Sequence, residues 1–186
     1  IFPGGFFGVD VFFTFSGFLI TSLLLEEFGK ARQIDLLGFF KRRFYRIVPP
    51  VVLMVLVTMP FTFLVRQDYV AGIGGQIAGV LGFMTNFYEM LTGGSYESQF
   101  IPHLFVHNWS LAVEVHYYIL WGLAVWFLSK RSKSSSQLRG MVFLLSAGAF
   151  IISFFSMFIG SLMASSYSSV YFSSLTHVYP FFLGSI

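Results

Sequence analysis

Gly4-Gly5-Phe6-Phe7-Gly8-Val9-Asp10-Val11-Phe12-Phe13-Thr14-Phe15-Ser16-Gly17-Phe18 opens an apolar run that continues to Leu25 and contains one charge, Asp10. About 20 such residues suffice for a helix to cross the hydrocarbon core of a bilayer. A carboxylate inside that run costs about 3 kcal/mol, so it is kept only where something uses it. If the run is helical, Asp10, Thr14, Gly17 and Thr21 share one face, a polar and small-residue stripe expected to turn inward while the phenylalanines meet lipid. The expected fold class is therefore all-α, a polytopic transmembrane helix bundle.

Composition agrees with that reading. Of 186 residues, 56% are hydrophobic, 10% are charged and 26 are phenylalanine, a usage foreign to soluble domains. A soluble domain of this size could not hide five apolar runs without large exposed patches. The absence of cysteine excludes disulfides and thiol chemistry. No metal-ligand cluster, nucleotide fingerprint or nucleic-acid footprint is present; Gly4-Gly5-Phe6-Phe7-Gly8 lacks the G-x-G-x-x-G spacing. Nucleic acid is not an expected partner, membrane lipid is, and the oligomeric state is left open. The start, Ile1-Phe2-Pro3-Gly4, reads as an interior segment rather than a beginning, and the end at Ile186 falls within a hydrophobic pattern, so both ends look cut.

Residues 6–25, 47–65, 109–128 and 141–164 are the candidate membrane segments, with a further helix expected near Val178. Residues 70–91 are ambiguous. They hold Gly72, Gly74, Gly75, Gly79 and Gly82, including a Gly75-x-x-x-Gly79 spacing that permits close helix approach. Of the 11 lysines and arginines, six lie between Lys30 and Arg46 and four between Lys130 and Arg139. Both clusters should face the cytoplasm, which requires an even number of crossings between them. Residues 70–91 are accordingly expected to dip in and return, leaving 66–108 outside. A full span would put the 130–139 loop outside against that rule. That loop, basic and rich in serine, reads as a solvated connector.

Two further blocks carry chemistry. Leu37, Phe40, Phe44 and Ile47 fall on one helical face, and Arg42, Arg43 and Arg46 fall on the other, an interfacial amphipathic pattern. Pro49 and Pro50 are expected to end or kink this helix before the chain enters the bilayer, holding the arginines just above the membrane surface. Arg43 and Arg46 would clasp phosphate oxygens through forked hydrogen bonds, or anchor the loop to anionic headgroups. Further on, His107-Asn108-Trp109-Ser110-Leu111-Ala112-Val113-Glu114 begins the third long run, and Ser110, Glu114, Tyr117, Tyr118 and Trp121 cluster on one side, suited to a cavity. Glu114 would serve proton transfer, hold an arginine, or form a structural bond between helices.

Taken in order, Gly4-Gly5-x-x-Gly8-Val9-Asp10-x-Phe12-Phe13-x-x-Ser16-Gly17-Phe18, Arg42-Arg43-x-x-Arg46-Ile47-x-Pro49 and His107-x-Trp109-Ser110-Leu111-x-x-Glu114 resemble the acyltransferase 3 family of membrane acyltransferases. The resemblance covers roughly residues 4–121, and within the family the chain is most similar to bacterial peptidoglycan O-acetyltransferases. It implies transfer of an acyl group, commonly acetyl from acetyl-coenzyme A, to hydroxyls of a cell-surface glycan. It also implies a multi-pass protein of the bacterial cytoplasmic membrane, with acyl-coenzyme A as donor, a glycan as acceptor and no permanently bound cofactor. On this resemblance Asp10 and Glu114 are the expected catalytic carboxylates. Arg42, Arg43, Arg46, His107, Trp109, Ser110 and Tyr118 are the expected substrate-binding residues. The family's essential histidine belongs to a helix ahead of the Gly-Gly-Val-Asp block, before Ile1, so residues 1–186 are expected to be a partial domain, inactive alone. His103, His107, His116 and His177 are not expected to replace it. The competing reading is a transporter or channel in which Asp10 and Glu114 relay protons or bind an ion; a weaker third is a non-catalytic membrane scaffold.

Overall fold

The computed structural model describes residues 5–62, 64, 72–92, 103–163 and 170–186. Among these residues the chain is all helical: α1 (Gly5–Ala31), α2 (Leu36–Thr62), α3 (Ile73–Leu81), α4 (Thr85–Thr92), a 3₁₀ turn (Val106–Asn108), α5 (Trp109–Arg131), α6 (Ser135–Met163) and α7 (Tyr179–Ser185). Phe7–Ala31, Leu36–Phe61, Val106–Arg131 and Ser135–Met163 have the length and apolar composition to cross a membrane. Their outward faces are paved with exposed large apolar side chains, among them Phe7, Phe15, Leu56, Leu120, Ile152 and Leu162. Water would not tolerate so much apolar surface, and the protein is an integral membrane protein.

Polar contacts set the direction of each helix. Ser16 on α1 meets Glu114 on α5, and seven residues on, Trp121 Nε1 donates to Thr21 Oγ1 at 2.8 Å, so α1 and α5 run parallel. On α2, Phe39 lies against Gly122 and the Arg43 guanidinium lies over the Tyr118 ring, so α2 runs antiparallel to α5. On α6, Ser146 Oγ donates to Ser185 O and Ser153 Oγ to Leu175 O, which makes α6 antiparallel to α7. Both basic clusters therefore gather at one end of the bundle, where α1 and α5 finish and α2 and α6 begin. By the positive-inside rule this is the cytoplasmic end. Arg66 lies outside the described residues.

The segment expected to dip and return is a helical hairpin. At 9 and 8 residues, α3 and α4 each reach about 12–14 Å, less than half of the ~30 Å a span needs. The glycine spacing serves the hairpin itself: a Cβ on Gly75 would fall 2.8 Å from the Tyr88 ring, and one on Gly79 would fall 3.5 Å from the Thr85 Cα. Helix α3 ends in a Schellman motif, with Phe83 N–H donating to Val80 O at 3.2 Å and Met84 N–H to Gly79 O at 2.7 Å. Phe83 occupies the left-handed position of that motif with φ 53°, where glycine is usual and a side chain costs about 1–2 kcal/mol. Phe83 shares a cavity lining with Val115, Tyr118 and Ile119, the first of which stands six residues into α5. The tip therefore lies about 10 Å below the outer end of α5.

Two expectations about individual helices are corrected. Helix α2 does not end at Pro49 and Pro50, which lie within a continuous helix of 27 residues. Proline already holds a helical φ, and the pair removes only the donors to Tyr45 and Arg46, whose residues are exposed near the cytoplasmic end. Asp35 starts the helix early, its Oδ1 accepting from Gly38 N–H at 2.9 Å. Arg43 consequently lies about 10 Å along a continuous helix, half-buried against α5. On α1 the inward stripe forms, but Phe13 joins it, fully buried and stacked on Phe181 at 4.2 Å between ring centroids.

Helix α7 packs on that stripe at backbone contact. A Cβ added to Gly184 would stand 1.9 Å from Thr14 O, and one added to Gly17 would stand 2.0 Å from Phe181 O. Gly184→Ala is expected to separate α1 from α7 and lower the melting temperature of the full-length protein in detergent by several degrees, as overpacking costs about 1–3 kcal/mol. Gly148→Ala, whose Cβ meets nothing within 4 Å, is the matched control; equal melting of the two variants would refute the close approach.

Candidate active site

Glu114 is the centre of the inner polar cluster. It is 5% exposed, and its Oε1 accepts a 2.9 Å hydrogen bond from Ser16 Oγ and a short one from the Tyr118 hydroxyl. One turn toward the cytoplasm, Tyr117 OH meets Ser185 Oγ at 2.6 Å and Ser185 meets Thr21 at 2.9 Å. The α1 stripe, the polar face of α5 and the end of α7 thus form two adjacent buried hydrogen-bonded groups.

The arginines divide. Arg42 forms a 3.1 Å ion pair with Glu27 at the exposed rim. Arg43 lies 5.8 Å from both the Phe39 and Tyr118 ring centroids, and its buried Nε has no hydrogen-bond partner among the described residues. Both Arg43 and Arg46 are within electrostatic reach of Glu114. Arg43 also lines two cavities. One, about 410 Å³ and polar, lies toward the cytoplasmic end among Glu26, Glu27, Lys30 and Arg42. The other, about 340 Å³ and apolar, runs between α2 and α5 past Ile47, Val48, Val115 and Tyr118 to Phe83.

Asp10 belongs to a second cluster nearer the outer end, six residues above Ser16. Its Oδ1 lies 2.8 Å from His177 Nε2, and His177 Nδ1 lies 2.9 Å from Tyr171 O. A carbonyl only accepts, so Nδ1 carries a proton. Nε2 then either donates to the Asp10 carboxylate or accepts from its protonated form, and in both cases a proton lies between the two residues. Phe13, Trp109, Tyr171 and Tyr179 enclose the imidazole, which is 2% exposed. The inward aim of Asp10 was legible in the sequence; its partner was not. His177 lies 167 residues away, and its only local signal is a histidine at the head of an apolar run.

Of the expected binding residues, Trp109 is a buried wall of the His177 enclosure rather than a surface contact. His107 is exposed, and Ser110 turns its hydroxyl back to His107 O at 3.2 Å, so neither joins the Glu114 cluster. Asn86 Nδ2 donates to Ser174 Oγ at 2.9 Å, and Glu89 Oε2 meets His103 Nδ1 at 2.7 Å; sequence reasoning singled out neither. Burial pushes the Glu89 carboxyl up, with the His103 contact opposing it. A raised carboxyl favours the folded state while protonated, and that advantage is lost as pH rises from the ordinary range near 4.3. Glu89→Gln is therefore expected to melt at an increasingly higher temperature than wild type between pH 4.5 and 7.5. A difference that shrinks with pH would show that His103 governs the pair.

Comparison with known proteins bears on this geometry. The acyltransferase 3 profile, described as an acyltransferase domain, matches residues 2–186. The chain is 34% identical over 185 residues to the O-acetyltransferase OatA of Staphylococcus aureus strain NCTC 8325, covering 98% of this chain and 30% of that protein. It is also 34% identical over 184 residues to a putative O-acetyltransferase of Staphylococcus aureus strain COL, again covering 98% and 30%. The chain thus spans about a third of the length of these relatives. No solved structure matches it. With the three motif blocks gathered around Glu114, Arg43 and Asp10, and the profile covering nearly every residue, the chain belongs to the acyltransferase 3 family.

Proposed function

We propose that the protein transfers acetyl from acetyl-coenzyme A at the cytoplasmic face of a bacterial membrane to hydroxyls of a cell-surface glycan, with peptidoglycan as the acceptor. The observation that carries this reading is the position of Arg43. Its guanidinium joins a polar cavity at the basic end of the bundle to an apolar cavity beside Tyr118. A donor whose phosphates lie among basic side chains and whose thioester arm is apolar matches that succession. Relatives named O-acetyltransferases support the same reading.

Acyl transfer to an alcohol needs the donor and acceptor held together, a base for the hydroxyl proton and stabilisation of the developing oxyanion. Arg43 and Arg46 hold the donor. Glu114 is a positioning residue, fixing the Tyr118 and Ser16 hydroxyls and balancing the arginine charge. Asp10, locked to His177, orders the outer approach by which the acceptor arrives. A transporter would need its carboxylates free to exchange protons or ions; both are already bound by side chains of the bundle, and this weighs against it.

The test is acetyl transfer from radiolabelled acetyl-coenzyme A to purified peptidoglycan fragments by the full-length protein in nanodiscs. Saturable label incorporation, removed by esterase, is expected. A folded protein that exchanges protons across vesicles but labels no glycan would move the assignment to the transporter.

A further inference from the structure

Two non-glycine residues among those described hold a left-handed backbone, Arg32 at φ 56° after α1 and Phe83, and Phe83 lies where the apolar cavity ends. Phe83 holds φ 53° at the tip of the α3–α4 hairpin, a backbone state that glycine or asparagine would adopt more easily. Its side chain nevertheless lines the 340 Å³ cavity with Arg43 and Tyr118. Strain of this kind persists where surrounding structure enforces it, and it gathers at ligand clamps and switch regions. The paired Schellman hydrogen bonds enforce it here.

The direction of the cavity gives the ring a task. Arg43 and Ile119 lie toward the cytoplasmic end, whereas Val48 and Val115 lie toward the outer side, where the hairpin enters. A chain that enters beside Arg43 with its polar end toward the basic cluster therefore runs along α2 and α5 and meets Phe83 last. The cavity walls are apolar apart from Arg43 and the Tyr118 hydroxyl, so hydrocarbon suits the far end. The unpartnered Arg43 Nε is a donor placed for a carbonyl or phosphate oxygen of the same ligand.

We propose that Phe83 is a specificity residue: its ring is the end stop of the acyl-chain cavity and sets the longest acyl group the enzyme transfers. This rests on the acyl-transfer reading above. In that reaction the acceptor oxygen bonds to the acyl carbon, the carbon–sulfur bond breaks, and the hydroxyl proton ends on the released thiol. Phe83 takes no part in these bond changes; it limits which acyl carbon chain reaches them.

The experiment uses the full-length protein in nanodiscs with acetyl-, butyryl- and octanoyl-coenzyme A as donors and one glycan acceptor. Phe83→Gly removes the ring and relieves the left-handed strain. It is expected to raise the butyryl-to-acetyl ratio of kcat/KM by about ten-fold or more, the scale at which a hydrophobic pocket discriminates added methylenes. Phe83→Leu should give an intermediate rise and Phe83→Trp a fall. Should the glycine variant fail to fold, the leucine and asparagine variants carry the same comparison. An unchanged ratio in folded variants that still transfer acetyl overturns the proposal while leaving the function intact. A phospholipid retained by wild type and displaced in Phe83→Trp, with the ratio unchanged, assigns the cavity to lipid and overturns it as well. A folded wild type that transfers no acyl group from any donor fails the functional reading itself, and the proposal with it.

Discussion

Glu114→Gln in the full-length protein is expected to lower turnover by about 100-fold or more while the protein still folds and binds donor. The amide keeps an acceptor oxygen for the Ser16 and Tyr118 hydroxyls, which now bond to Glu114 Oε1, so packing survives. What disappears is the carboxyl group that faces Arg43 and Arg46 and holds the Tyr118 hydroxyl. Loss of one preorganised polar group from a water-poor site costs about 100- to 1,000-fold in rate. Glu114→Ala should do more, because it leaves buried hydroxyls without their acceptor, a change that costs about 1–3 kcal/mol for each unsatisfied group. Ser16→Ala removes one of two donors and is expected to cost less than Glu114→Gln. The decisive readout is the division between kcat and KM for acetyl-coenzyme A together with the melting temperature. A Glu114→Gln enzyme with wild-type kcat and a lower melting temperature would make Glu114 a structural bond between α1 and α5.

The double variant Arg43→Gln/Arg46→Gln is expected to lose saturable acetyl-coenzyme A binding, with at least a 100-fold weaker dissociation constant. Two charge-assisted hydrogen bonds at about 1.5–3 kcal/mol each account for that size. Arg43→Lys should restore little, since lysine cannot reproduce the planar fork or its position over the Phe39 and Tyr118 rings. Arg42→Gln is the contrast. Its guanidinium is engaged by Glu27 at the exposed rim, where ion pairs contribute about 0–1 kcal/mol, so affinity should change less than about five-fold. Titration calorimetry in nanodiscs separates these outcomes. Wild-type affinity in a folded double variant would remove the arginines from the donor site and leave them as headgroup anchors.

The helical bundle was largely legible in the sequence. Long apolar runs must be helices in a bilayer because each backbone donor and acceptor needs a partner within the segment. The two basic clusters, at the ends of α1 and α5 and the starts of α2 and α6, require an even number of crossings between them. Gly75 and Gly79 announced a close helix approach, although not that the approaching helix is the next one, α4. Of the two outcomes expected at the proline pair, an end to the helix is not met, because removing two donors does not break a helix whose carbonyls at those positions lie on an exposed stretch. Trp109, Ser110 and His107 are not gathered into one cluster by the fold. They are adjacent in sequence, but Trp109 enters the His177 enclosure while His107 stays at the surface.

By itself the sequence determined the class of solvent, the helical architecture and the gathering of both basic clusters at one end of the bundle. Periodicity, length and charge asymmetry are local properties, and the bilayer converts them directly into structure. Tertiary structure alone decided which polar groups meet. Glu114 faces Ser16 across 98 residues and Asp10 faces His177 across 167, pairings that depend on helix rotation and packing. It alone also revealed that α2 sets Arg43 against Tyr118 and that Phe83 lines the cavity beside it. Those arrangements follow from backbone contacts at Gly17 and Gly184 and from the fold of the hairpin, where distant parts of the chain must share one space and no local pattern records the outcome.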